Sequence, residues 1–397
     1  MSHHVHHPTI EIFNQKHAGS APLVLIVASI VGIALSVLGA INNPQQFAYS
    51  WLFAFIYFFT LSVGCLFWTM VHHATDAEWS VVVRRLMENV ASLLPIIFLF
   101  FIPLAFNAST LWKWWSVPVG HDEMLDDKRA YLNHTFFFAR VLFYCVGLSG
   151  LAILLKRNST QQDATSHPKH TISMRRLSFL GIPLFAISLT FGAFDWLMGL
   201  DYKWFSTMWG VYIFAGAAGS AMSLLVLILT WLRVRGYYKH SITHEHYHIM
   251  GKLMLAFVVF WAYIGFSQYM LIWYANVPEE TSYFIRRNIG SWNIMSIALV
   301  VGRFFIPFVV LLFQSPKRNP RALCLVAGWI LCMQLLDMYI IVMPMLHKEG
   351  FAPSLYDLGA ILAIGAPLAF LFIKRLGKHS LIPVGDPRID LCLKLSN

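Results

Sequence analysis

Four charged residues stand where an apolar chain should run. Arg140, Asp195, Arg303 and Asp337 each interrupt one of the long hydrophobic segments of this 397-residue sequence. A charge at the middle of a membrane-spanning helix costs about 2.5–3.5 kcal/mol, so four left alone would cost roughly 10 kcal/mol or more. Pairing or hydration is therefore required, and here two cations balance two anions. Three kinds of chemistry suit such groups: a proton relay, the polar end of a quinone pocket, or structural ion pairs that fix helix register.

The elements that must carry these groups follow from composition. With 58% hydrophobic and 12% charged residues, the chain is an integral membrane protein rather than a soluble domain. Ten segments approach the ~20 apolar residues that a spanning helix needs, at about 21–41, 49–72, 89–107, 134–155, 177–199, 207–233, 251–275, 293–314, 321–345 and 356–374. These runs are continuous and do not alternate with a period of two, which predicts helices and excludes a transmembrane β-barrel. The expected fold is all-α, with a ten-span domain over 21–376, an N-terminal tail at 1–20 and a C-terminal tail at 377–397.

Basic residues orient the chain. The termini and the loops after the even-numbered spans two to eight carry 20 of the 29 Lys and Arg, the opposite loops seven, which predicts cytoplasmic termini. The formal charge of +10 expresses this bias, so no nucleic-acid partner is expected. The first span lacks a preceding basic region and a cleavage site, and is read as an anchor. Cys65, Cys145, Cys324, Cys332 and Cys392 stand singly, without an iron–sulfur or covalent-haem motif. All 17 histidines lie in loops or at span ends, which argues against a haem held inside the bundle. The segments THEHYH (243–248) and MSHHVHH are read as polar flanks and not metal sites, and the latter as a mobile tail. His73, beside His72 at the cytoplasmic end of span two, is a candidate for loading protons, since a histidine ordinarily titrates near neutrality.

A rise of about 1.5 Å per residue places Arg140 and Asp195 at similar depth in the outer half of the membrane. Asp337 falls in the outer half of span nine and Arg303 nearer the middle of span eight; which Arg meets which Asp is left open. Gln334 lies one turn before Asp337. Span seven adds Tyr263, Ser267, Gln268 and Tyr274, with Glu279 and Glu280 just beyond, to the candidate polar path. Gly192 and Gly199 beside Asp195 predict close approach by another helix, and Gly216, Ser220 and Ser223 give span six a small-residue face. Spans four and five resemble spans eight and nine: each first member carries the Arg and ends in a basic turn, KRNS or SPKRNP, and each second carries the Asp. The tryptophan-rich loop 107–133 is expected at the membrane interface, and 156–176 as a flexible connector. A secondary carrier would break its helices at corresponding places in two halves, and Pro183 and Pro307 do not correspond.

Two stretches carry a family resemblance: FDWLMGLDYKWFSTMWGVY (Phe194 to Tyr212) and HIMGKLMLAFVVFWAYIGFSQYMLIWYANVPEET (His248 to Thr281). They strongly resemble the ActF membrane subunit family of bacterial alternative complex III, a quinol:cytochrome c oxidoreductase, which is similar to the NrfD-like anchors of polysulfide reductase. One departure is Ile249, where that family has an acidic residue. The resemblance implies two four-helix bundles, about 49–199 and 207–345, flanked by two peripheral helices. It implies a multi-pass protein of the bacterial inner membrane whose partners are an iron–sulfur protein, c-type cytochromes, a sister ten-span subunit and lipid. It implies no covalent cofactor, a quinol pocket chiefly in the sister subunit, and a proton path in this one. A purely structural anchor of that complex is the alternative.

Overall fold

The computed structural model describes residues 10–395, except for the side chain of Glu279; MSHHVHH lies outside the described residues. Among the described residues, ten helices are long and apolar enough to cross a membrane: α1 Ala21–Asn42, α2 Pro44–Ala74, α3 Glu78–Phe106, α4 His134–Thr165, α5 Lys169–Asp201, α6 Trp209–Val234, α7 His244–Ala275, α8 Ser291–Leu312, α9 Pro320–Met345 and α10 Leu355–Leu376. The protein is an all-α multi-pass membrane protein.

Polar residues start these helices where apolar chain resumes. Asn43 and Asn133 accept from the Gln46 and Phe136 amides, and Thr243 with His246 and Ser354 with Asp357 form reciprocal caps, satisfying donors that lack an intrahelical acceptor. Pro95 and Pro103 open separate helical segments within α3, since proline cannot donate to the preceding turn.

Helices α2 to α5 pack around one another, α6 to α9 do the same, and α1 lies chiefly on α10. The central helices are α2 and α6, whose most apolar windows are 83% and 72% buried. Small residues set their separation: a Cβ at Gly64 would lie 2.2 Å from the Ala217 carbonyl oxygen, so only glycine allows this approach. Beside it the Trp68 indole donates to the Ala218 carbonyl at 2.9 Å.

Four expectations are corrected. Trp112 and Trp114 are buried, with Trp112 against Phe101 and Phe137; the loop after α3 folds over protein, not onto the membrane interface. The connector 156–176 is mostly helical, as α4 runs to Thr165 and α5 starts at Lys169 after a left-handed Ser166. Helix α3 begins well before 89, drawing Arg84, Arg85 and Glu88 inside. The C-terminal segment, expected as a tail, is docked: Leu381, Ile382, Asp386 and Cys392 are each at most 1% exposed, and the Leu381 amide donates to the Glu11 carbonyl at 2.7 Å. Both described termini therefore lie at one end of the bundle, called below the basic end.

Candidate functional site: buried charge networks

The structure pairs each arginine with the aspartate of its own half. In the first, Arg140 on α4 grips Asp195 on α5 with two nitrogens, Nε to Oδ2 at 2.9 Å and Nη2 to Oδ1 at 2.7 Å. The Tyr144 hydroxyl donates to Asp195 Oδ2 at 2.8 Å, and Arg140 Nη1 donates to the Tyr131 carbonyl at 2.9 Å. The rings of Tyr131 and Phe136 lie 3.8 and 4.3 Å from the guanidinium carbon, covering the cation with π density. A two-pronged arginine–carboxylate contact is the strongest arrangement such a pair can take, and Asp195 is 1% exposed. Neither expected glycine admits a helix here: the nearest neighbour of Gly192 is the Trp196 ring of its own helix, and Gly199 sits under Trp112 and Trp114.

In the second half, Arg303 on α8 donates through Nη1 to Asp337 and through Nη2 to Gln334, both on α9. Asp337 also accepts from the Tyr212 hydroxyl at 2.7 Å and the Trp261 indole at 3.3 Å, which brings α6 and α7 into the network. The Gln334 amide reaches Thr60 Oγ1 on α2 at 3.4 Å, joining the two halves. Gly216 on α6 makes room, because a Cβ there would lie 2.7 Å from Arg303 Nη2.

Local backbone explains how α8 presents Arg303. Residues Val301–Phe305 form a π turn, with the Ile306 amide bonded to the Val301 carbonyl. In that register the next donor would be residue 307, aimed at the Gly302 carbonyl, and it is a proline. The Trp329 indole of α9 supplies the missing bond to Gly302 at 2.6 Å. Insertions of this kind shift the following side chains around the helix and concentrate at functional sites. A cavity of about 10 Å³ adjoins the guanidinium, bounded by Gly216, Gly219, Ser220, Phe257 and Trp261. That is room for about one water, and Ser220 Oγ, buried beside it, has no hydrogen-bond partner.

The remaining expected path residues do not converge on these pairs. Gln268 accepts from Ser206 Oγ at 2.7 Å, tying α7 to the α5–α6 loop. Tyr263 and Tyr274 are 64% and 84% exposed, facing out of the bundle. Glu280 sits on the short helix Pro278–Arg287 after α7, and the Glu279 side chain lies outside the described residues.

His73 belongs to a different site, at the basic end. Its Nε2 is 3.9 Å from Glu88 Oε1, and Glu88 also pairs with Arg84 at 3.0 Å and Arg85 at 3.3 Å. Arg84 reaches Asp386 of the C-terminal segment at 2.9 Å, Arg85 reaches Asp163 at 2.8 Å, and Arg388 bridges Asp386 at 2.8 Å and Asp76 at 3.2 Å. Burial would raise the Asp386 carboxyl, but hydrogen bonds from Arg388 and the charges of Arg84 and Arg388 outweigh it and hold it well below the ordinary range. Arg84, Glu88, His72 and His73 are at most 2% exposed, and both imidazoles lack hydrogen-bond partners. Sequence reasoning kept His73 and missed its surroundings; the signal was Glu88 spaced three and four residues after two arginines that follow VVV. Further buried charges were missed, among them Arg287 and Asp357. Arg287 is held by the Tyr283, Ile340 and Ile341 carbonyls, and Asp357 by Gln46, Ser50, Tyr339 and the Ser354 amide.

The THEHYH side chains diverge. His244 contacts the Arg318 carbonyl, Glu245 pairs with Arg318 and His248, and His246 turns inward to Cys392 at 3.5 Å. No group of three metal-ligating side chains occurs among the described residues. No family model matches the chain, and a search of curated proteins returns no match.

Proposed function

We propose that this chain is a membrane subunit of a quinol:cytochrome c oxidoreductase of the alternative complex III kind, moving protons beside subunits that move electrons. Its place is the bacterial inner membrane, with the basic end in the cytoplasm, where 20 of the 29 Lys and Arg lie. Its partners are an iron–sulfur protein, c-type cytochromes and a sister ten-span subunit. Oxidising a quinol releases protons and electrons together, and a chain without a redox centre serves by giving the protons a route.

The observation that carries this reading is the second network. Asp337, Arg303 and Gln334 are bonded across four helices beside a water-sized cavity and an unpartnered Ser220 hydroxyl. In this reading protons enter from the basic end, where His73 and Glu88 lie, about 20 Å along α2 from the level of Thr60 at the helical rise. The cavity at Arg303 does not fit a quinone ring; in this reading quinol oxidation belongs to the sister subunit, as the family resemblance implies. A structural role is favoured for the first pair alone, because Asp195 is saturated by Arg140 and Tyr144.

The test is Asp337→Asn in the intact complex. The expected result is an assembled complex, co-purifying with multihaem cytochromes and an iron–sulfur protein, whose proton release falls at least tenfold. Unchanged turnover and proton release in that variant would sink the proton route, and purification without redox partners would sink the complex.

A further inference from the structure

At the end opposite the termini, the α1–α2 turn, the loop after α3 and the α9–α10 loop line an open cleft of about 820 Å³. Lys113, His347 and Lys348 line it, with Tyr49 and Phe351 among its apolar walls and Glu349 its one carboxylate. Neither lysine has an ion-pair partner among the described residues. The Lys113 ammonium is pushed below its ordinary range by burial and then by Lys348 and Arg286, with Asp201 opposing; Arg286 itself is neutralised by Asp201 at 2.5 Å. His347 Nε2 is out of solvent and without a hydrogen-bond partner.

Cations gathered here run against the charge distribution of the chain. This end carries seven of the 29 Lys and Arg, and three of the seven lie within electrostatic reach of one another. The wall that presents Lys348 is held in place. The Trp292 indole bonds the His347 carbonyl at 2.7 Å, Ser291 Oγ accepts the Phe351 amide at 2.8 Å, and the Tyr339 hydroxyl reaches the Ala352 carbonyl at 3.2 Å. An open cleft with convergent cations and a few apolar walls suits a headgroup that stays partly in water. Just before it, the last turns of α3 expose Leu99, Ile102 and Phe106 by 60%, 51% and 85%. That apolar strip ends four residues before Thr110, which lines the cleft.

We propose that this cleft binds the phosphate headgroup of an anionic phospholipid, with Lys113 and Lys348 on the phosphate and the acyl chains against Leu99, Ile102 and Phe106. Basic pockets between spanning helices bind such headgroups on the cytoplasmic side, and the same attraction of ammonium for phosphate operates at this end. A free phosphate offers the same charge, yet it would leave the apolar walls and most of the volume uncovered. The inference stands apart from the proposed function.

The purified full chain, stripped of lipid in detergent, is titrated with phosphatidylglycerol and, separately, phosphatidylcholine, and bound lipid is counted by native mass spectrometry. One phosphatidylglycerol per chain, held at least tenfold more tightly than phosphatidylcholine, is expected. The Lys113→Gln/Lys348→Gln double variant, altered only at exposed side chains, loses that preference, while Lys203→Gln keeps it. Equal binding of the two lipids, or an unchanged preference in the double variant, overturns the proposal. Displacement of the lipid by equimolar inorganic phosphate would identify a free-anion site and overturns it as well.

Discussion

Replacing Gly216 by alanine adds one methyl group beside Arg303 without changing any charge. The new Cβ would lie 2.7 Å from Arg303 Nη2 and 2.9 Å from Gln334 Oε1, against about 3.5 Å for comfortable nonbonded contact. Apart from the water-sized void beside it, the guanidinium has little room to retreat, since Asp337 holds its Nη1 and the Trp261 ring lies 4.4 Å from its central carbon. Relief must come from the Gln334 bond. Losing a hydrogen bond to a charged group costs about 1.5–3 kcal/mol, and overpacking a core about 1–3 kcal/mol. The two overlap, because breaking the bond is how the overlap is relieved, so about 2–4 kcal/mol is expected. Denaturant unfolding of the purified chain in detergent, followed by tryptophan fluorescence, reads the difference. Two controls calibrate it. Gly219→Ala, with Phe257 Cβ at 3.2 Å, should cost under about 1 kcal/mol. Gly328→Ala, with nothing within 4 Å, should gain about 0.5–1 kcal/mol from helix propensity. A Gly216→Ala protein as stable as Gly219→Ala would refute the claim that Arg303 is tightly seated.

Two further outcomes follow from the other networks. Arg140→Met and Asp195→Asn should each cost about 3–5 kcal/mol, because each leaves a buried partner uncompensated, and the double variant should cost clearly less than their sum; additive losses in the same unfolding assay would dissolve the pair. The depressed Asp386 carboxyl contributes stability that is present above its unfolded pKa of about 3.9 and is lost only as pH falls through the lower folded value. The C-terminal segment should therefore resist proteolysis from pH 7 down to about pH 4, and its release between pH 5 and 4 would contradict the Arg84–Asp386–Arg388 assignment.

The ten spans were legible because a continuous apolar run of helical length has few other uses. Their ends were less so. Helix α3 starts at Glu78 and not 89, and α4 continues to Thr165, since hydropathy marks where lipid would lie and is blind to helix that continues past it. The pairs were legible as a demand for neutralisation, but partner choice depends on packing: Arg140 and Asp195 sit on adjoining antiparallel helices, as do Arg303 and Asp337. Tyr212 and Trp261 could not be read at all, because an aromatic residue in an apolar run looks the same whether its polar atom meets a carboxylate or nothing. The Arg84–Glu88–Asp386 cluster was hidden for the opposite reason. Basic residues at a span end read as solvated, and the carboxylate that helps neutralise them arrives from 302 residues further along the chain.

The two halves use the same ionic pair to different ends. Burying an arginine and an aspartate is tolerated when every remaining donor and lone pair is met, and the first half meets them with Tyr144, the Tyr131 carbonyl and two rings. Moving either charge of that pair breaks several bonds at once. The second half spreads its bonds over α6, α7, α8 and α9, displaces Arg303 on a π turn and leaves a small void at the guanidinium. A water there would give Arg303 and Ser220 a shared exchangeable partner. Neutralisation is common to both; the π turn and the void distinguish them, and on that difference rests the proposal that Asp337 moves protons while Asp195 fixes register.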